Sequence, residues 1–157
     1  MGMHTVGFFA GGPGFSGLLS RALPQGLWAR CCPARSGGVY DLLIAAPDWA
    51  SPLPPDLTCR ALLWPGRLGP LPEELAAGWV VSYGLTPRDS LTLSSLGPDG
   101  LCLALQREVI TLAGRSLELQ EIPLRGFAGV EPELVLAWAG VMLLAGMPIE
   151  KLASYDA

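Results

Sequence analysis

Lysine and histidine are almost missing from this chain of 157 residues: Lys151 and His4 are single copies. Chemistry that needs a lysine on a phosphate, or a histidine as a mobile base, has one of each to draw on. Charge is scarce too, at 15% of residues, and leans acidic, with 14 Asp and Glu against 10 Lys and Arg for a formal net charge of −4. A pI near 4.9 leaves no basic footprint of the kind that holds nucleic acid, so no nucleic-acid partner is expected. The cysteines, Cys31, Cys32, Cys59 and Cys102, form no CxxC pair, and no metal site is expected. On a strand, Cys31 and Cys32 point to opposite faces, which suits burial better than shared chelation. The first apolar run, Val6 to Ala10, is short and lacks a basic lead-in, unlike a signal peptide. Met1-Gly2 with Val6 at the sixth position does not fit the myristoylation pattern. A reduced, cytoplasmic protein is expected.

What the chain has in quantity is apolar side chains. Hydrophobic residues make up 50% and mean hydropathy is +0.41, which excludes intrinsic disorder. The length suits one domain, with at most a small annex. Short apolar runs between Gly/Pro loops fill the first half: Thr5–Ala10, Leu27–Cys32, Tyr40–Ala45, Cys59–Trp64 and Trp79–Tyr83. Continuous runs of this length suit parallel strands buried on both faces. Phe15–Leu23 reads as a helix and Glu73–Ala77 as a short one, whereas Pro47–Leu57, with four prolines, does not.

From Leu91 the pattern alternates, at Leu91 and Leu93, at Leu101, Leu103 and Leu105, and at Leu117 and Leu119. With turns at Gly97-Pro98-Asp99-Gly100 and Ala113-Gly114-Arg115, this reads as an antiparallel meander. A final helix spans about Pro132 to Ala145, and Ile149–Ser154 adds a last turn. Leu134–Ile149 is uncharged but shorter than the about 20 apolar residues of a spanning helix, so no membrane insertion is expected. A helix apolar all round suits a core or an interface. A homo-oligomer through the 132–149 helix or the meander edge is therefore one expectation.

Gly12-Pro13-Gly14-Phe15-Ser16-Gly17 satisfies GxGxxG directly after an apolar strand and at the start of a helix. Glycines allow the tight turn and let backbone N–H groups approach a pyrophosphate at the positive end of the helix. Gly11, Gly12, Gly14, Ser16 and Gly17 are thus candidate nucleotide-binding residues, although a structural turn joining strand to helix has the same sequence. The acidic, ribose-holding residue wanted about 20 residues on is missing, and the region reads Pro33-Ala34-Arg35-Ser36. Arg35 and Ser36 suit a 2′-phosphate, so an NADP-dependent oxidoreductase-type domain is a second reading. An exposed loop arginine is the plainer explanation. Arg88, in Thr86-Pro87-Arg88-Asp89-Ser90, is a further phosphate candidate at a strand's carboxyl end, where open α/β sheets bind ligands; the segment is also simply the turn into the meander. The expected fold is α/β: a small Rossmann-like, mostly parallel sheet over residues 1–90, then an antiparallel β-meander and a C-terminal apolar helix over 91–157, packed as one domain.

The opening His4-Thr5-Val6-Gly7-Phe8-Phe9-Ala10-Gly11-Gly12-Pro13-Gly14-Phe15-Ser16-Gly17-Leu18 resembles the first strand and loop of the Mur ligases, closest to the UDP-N-acetylmuramate–alanine ligase type. Val80-Val81-Ser82-Tyr83-Gly84-Leu85, Ile122-Pro123-Leu124-Arg125-Gly126 and Leu144-Ala145-Gly146-Met147-Pro148-Ile149-Glu150 resemble the end of that family's central domain, in the family's order. Together they cover about half of the chain. The resemblance implies a bacterial protein of cell-wall precursor metabolism, with Gly11, Gly12, Gly14, Ser16 and Gly17 as a UDP-pyrophosphate loop. The departures are as telling. No GxxxxGK[ST] is present, Gly126-Phe127-Ala128-Gly129-Val130-Glu131 stands where the family has His-Asn, and the family's C-terminal amino-acid-binding domain is not expected. ATP-dependent ligation is therefore not expected.

No catalytic constellation emerges. His4 sits at the start of a strand rather than on a loop above the sheet. Asp48, Asp56, Asp89 and Asp99 lie in Pro-containing loops, where solvated turn residues are the default. Trp49, amid prolines, is the best candidate for a ligand-stacking or partner-facing aromatic. The expectation is a non-catalytic, Mur-ligase-like protein binding a nucleotide or UDP-type ligand at the glycine loop. The NADP reading and a ligand-free oligomerisation or scaffold role are the alternatives.

Overall fold

The computed structural model describes residues 4–50, 52–98, 100–127 and 129–155. Met1-Gly2, Asp99 and Ala128 lie outside them. The strands β1 (Val6–Phe9), β2 (Cys31–Pro33), β3 (Val39–Ala45), β4 (Leu57–Pro65), β5 (Leu75–Tyr83), β6 (Leu91–Gly97), β7 (Gly100–Leu105) and β10 (Gln120–Leu124) form one sheet. Its order is β10-β7-β6-β5-β4-β3-β1-β2, and β8 (Val109–Ile110) pairs with β9 (Ser116–Leu117) in a separate hairpin. Neighbours from β2 to β6 run parallel, and β6, β7 and β10 run antiparallel. Among the described residues there are α-helices α1 (Pro13–Ala22), α2 (Gln25–Trp28), α3 (Pro132–Leu144) and α4 (Ile149–Ala153), with a 3-10 turn at Gly66–Leu68. This is the α/β architecture expected, a mostly parallel sheet followed by a meander and a C-terminal helix.

Three local expectations give way to tertiary pairing. Leu27 and Trp28 sit in α2, where the Pro24 carbonyl accepts both their N–H groups, so β2 starts only at Cys31. Glu73–Ala77 is no helix, because Leu75 pairs with Leu57 and extends β5 downwards; a neighbouring strand outweighs local helix preference. The meander's outer strand is Gln120–Leu124, whose Ile122 and Leu124 face the core, while Leu119 is 64% exposed. Leu117 belongs to the small hairpin instead.

The sheet's two faces are covered differently. One face packs Val6, Leu42, Leu63, Tyr83 and Leu103 against α1, α3 and α4. The other carries Phe9, Tyr40, Leu43, Leu62 and Trp64 under Trp49, Leu53, Leu68 and Leu71 from the connecting loops. Among the described residues no α-helix covers this second face; Leu68 comes from a single 3-10 turn, Gly66–Leu68. Trp49 packs between Phe9, tilted to it, and Trp64, edge-on to it, with ring centroids 5.6 and 5.9 Å away. The proline-rich 47–55 stretch is thus anchored on the sheet through Trp49 and Leu53, and Trp49 is a core-covering ring rather than a partner-facing one.

Every residue of α3 from Val135 to Leu144 is buried within the chain. Trp138 fills the middle, between Phe127 and Tyr155 at 4.6 and 5.3 Å, and its indole N–H donates to the Ala22 carbonyl at 2.7 Å. The helix's all-round apolarity is consumed by its own sheet, α1 and α4, so it offers no free face to a second copy. The sheet edges are also blunted, because β2 carries Pro33 and β10 carries Pro123, and proline lacks the donor that edge pairing needs. Among the described residues no helix is long and apolar enough to cross a membrane. Cys31 is turned inward, where burial and the neighbouring Cys32 push its thiol up to about 12, while Cys32 is exposed.

Candidate functional site

β1 lies between β2 and β3, so the chain leaves β1 towards one side of the sheet and returns on the other. Open parallel sheets form their ligand crevice at the carboxyl end of such a switch point. The glycine loop occupies that position, directly after Phe9 and at the start of α1. The helix opens with Pro13 in its first turn, and its N-cap, Gly12, has no side chain to satisfy the first amides.

The glycines differ in what demands them. A side chain at Gly11 would run into the Asp48 carbonyl, and the Gly11 N–H donates to Asp48 Oδ1 at 3.1 Å. Gly11 is therefore required by close approach of the chain after β3. A Cβ on Gly12 would sit 3.5 Å from Asp48 Oδ2, in ordinary contact, and nothing lies within 4 Å of one on Gly17. The Ser16 hydroxyl donates to Pro13 O at 3.2 Å, within its own helix. Packing thus explains Gly11 and leaves Gly17 open to solvent.

Two cavities line this end of the sheet. One, of about 320 Å³, lies between the β3–β4 connection and the start of α3, and is lined by Pro47, Asp48, Arg67, Leu85, Glu131 and Glu133. Its carboxylates outnumber its cations, and Arg67 Nε stands 3.5 Å from Glu133 Oε2. The Tyr83 hydroxyl beneath it donates to Ala45 O at 2.5 Å. Burial, then the negative charge of Glu133, pushes that phenol above its usual range. The other, of about 470 Å³, opens on the loop-covered side and includes Trp64, Arg67, Leu71, Val80, Arg88 and Asp89. Arg67 belongs to both.

Asp89 is not the solvated turn residue that its loop suggests. It is 3% exposed, and its Oδ2 accepts the Thr86 N–H at 3.2 Å and the Thr86 hydroxyl at 3.0 Å. Side chains at Gly66 or Gly84 would run into its carboxylate, so two glycines make room for it. The local signal was Gly84 just before an aspartate-closed turn; only the fold brings Gly66 beside Asp89.

The candidates drawn from the sequence do not all meet. Gly11, Gly12, Gly14, Ser16 and Gly17 share the β1 end, and Arg88 stands at the β5 end of the same rim. Three strand spacings, roughly 14 Å, separate β1 from β5. The Arg35 N–H donates to the Tyr40 hydroxyl, and the Ser36 hydroxyl donates to Pro55 O, just before β4 begins. Ser36 is thus tied to the opposite end of the strands, away from the glycine loop. Asp48, Arg67, Glu131 and Glu133 were not singled out as site residues, because their adjacency joins three distant loops.

The other end of the sheet is braced by polar contacts of its own. Asp41 accepts the Thr5 N–H at 2.9 Å and pairs with Arg60 at 3.5 Å. The Thr5 N–H, followed by the Thr5 hydroxyl and Arg60, holds the Asp41 carboxyl below its usual range against the opposing effect of burial. Arg60 donates to Leu112 O at 2.7 Å and sits 5.9 Å over the Trp79 ring. His4 stands 4.0 Å from Asp41 in this cluster, at the amino end of β1. Among the described residues, no group of three or more His, Cys, Asp or Glu is arranged to hold a metal ion. Comparison with protein-family models, curated proteins and solved structures finds no match for this chain.

Proposed function

We propose that this chain is a non-catalytic, Mur-ligase-like binding domain that takes a nucleotide or UDP-type ligand in the rim crevice beside its glycine loop. The observation that carries the reading is the position of Gly11–Gly17 at the carboxyl end of β1, where the strand order reverses. The resemblance of the same residues to the Mur first loop supports the ligand class. Asp48, Glu131 and Glu133 suit the hydroxyls of a ribose or sugar, since a carboxylate only accepts hydrogen bonds. The single lysine, Lys151, lies on α4, beyond the far end of α3 from the loop. That placement supports binding without lysine-assisted phosphoryl transfer. The 2′-phosphate reading of Arg35 and Ser36 has less support, because Ser36 is held at the other end of the strands.

A thermal-shift panel of UDP, UDP-N-acetylmuramate, ATP, NAD and NADP tests the reading. A ligand at 100 times its dissociation constant adds about 2.7 kcal/mol to the folded state. Stabilisation by the UDP compounds is the expected outcome. Stabilisation by NADP alone, or rapid ATP hydrolysis by the purified chain, would overturn it.

A further inference from the structure

We propose that the phosphate-binding element of this rim is the cleft between Arg67 and Arg88, and not the glycine loop. The proposal deepens the reading above, since it assigns the phosphate end of the same nucleotide-type ligand. Two observations carry it. The first is what already occupies the glycine loop: the Gly11 N–H is committed to Asp48 Oδ1 at 3.1 Å, and Asp48 Oδ2 stands against Gly12. A phosphate placed there would face a carboxylate, and like charges at such range repel.

The second is the composition of the 470 Å³ cleft at the ends of β4 and β5. It brings Arg67, from the turn after β4, to the same cavity as Arg88, from the β5–β6 connection. Arg107 adds a third positive charge to that connection, because its Nη1 donates to the Arg88 carbonyl. One carboxylate, Asp89, lines the cleft, and a second, Glu133, reaches Arg67 from the neighbouring acidic crevice. Asp89 is buried and engaged by both Thr86 donors, and Glu133 pairs with Nε of Arg67. That pair engages one nitrogen of a guanidinium carrying five N–H donors, whose fork matches phosphate geometry. Arg88 is held in place by its own N–H, which donates to the Thr86 hydroxyl at 3.3 Å. Val80, 42% exposed, Leu71 and Pro70 supply an apolar wall, against which the body of a phosphate ester can lie.

Arg67 also lines the acidic crevice. It thereby fixes the ligand's polarity across the rim, with phosphate towards Arg88 and hydroxyl-bearing sugar towards Asp48 and Glu131.

The test is an amide-resolved NMR titration with inorganic pyrophosphate and, separately, with UDP. Pyrophosphate is expected to move the resonances of residues 66–71 and 84–89. Arg88→Ala is expected to weaken it about tenfold, the usual worth of one charge-assisted contact, while Arg21→Ala at the far end of α1 leaves it unchanged. Shifts confined to Gly11–Gly17, wild-type affinity in Arg88→Ala, or no pyrophosphate response at millimolar concentration would each overturn the proposal. The UDP arm separates the two readings. UDP binding no tighter than pyrophosphate, with shifts at the arginines, upholds the phosphate cleft and sinks the nucleotide reading. UDP binding through the glycine loop, indifferent to Arg88→Ala, does the reverse.

Discussion

One face of the sheet is closed by helices and the other by loops, and the two closures use their apolar residues differently. On the helical face α3 is buried over its whole circumference from Val135 to Leu144, and Trp138 has no exposed surface. On the loop face, proline-bounded segments each press one or two large side chains, such as Trp49 and Leu53, onto the strands. A helix fills a volume continuously, so removing one ring leaves a cavity that its neighbours cannot collapse into. A loop covers by isolated anchors and keeps part of each anchor in water, so it has less to lose. The strands beneath cannot register this difference, since Leu42–Ala45 of β3 and Ala61–Trp64 of β4 are buried on both sides.

Trp138→Ala is expected to be the most damaging single change, costing about 3–5 kcal/mol, because it opens the α3 layer and strips the Ala22 carbonyl of its buried donor. Urea unfolding measures this directly. Trp49→Ala on the loop face should cost about 1–2 kcal/mol, in keeping with its partial exposure. Equal losses in the two variants would abolish the distinction between the faces.

The polar brace at the amino end gives a smaller, pH-dependent effect. Because the Asp41 carboxyl is held below its usual range in the folded state, its contribution is present above the unfolded value. It is lost as pH falls through the lower folded value. Asp41→Asn should therefore lower Tm near neutral pH and flatten its decline below about pH 4; a variant melting curve parallel to wild type throughout would discount the brace. Smallest is Gly17→Ala, which should raise Tm by about 1–4 °C, since an exposed helix-interior glycine with open space around it costs about 0.5–1 kcal/mol relative to alanine. If that variant gains stability and keeps its affinity for UDP, Gly17 has no part in ligand approach.

Much of the fold was legible because buried parallel strands announce themselves as apolar runs and antiparallel ones as alternation. Tyr40–Ala45 and Cys59–Trp64 became β3 and β4 with only their ends extended. The errors fell where a neighbour decided. Leu27–Trp28 followed Pro24 into a helical turn, Leu75 followed Leu57 into β5, and Leu117 left the meander for Val109. Of the candidate site, the glycine loop was readable as a local strand–turn–helix pattern. The Asp48 contact, the burial of Asp89 and the role of Arg67 as a wall between two cavities were not, because each joins segments well separated in sequence.

The sequence by itself determined the α/β class, the strand–loop–helix opening and a C-terminal helix without a polar side. These follow from short-range periodicity and from glycine and proline placement, which act within a few residues. Tertiary structure alone decided that α3 is a core element rather than an interface, that a carboxylate guards the glycine loop, and that two arginines from separate turns share one cleft. Those outcomes depend on strand order and on which loops meet at one rim, and no local pattern encodes the distance between residues brought together only by the sheet.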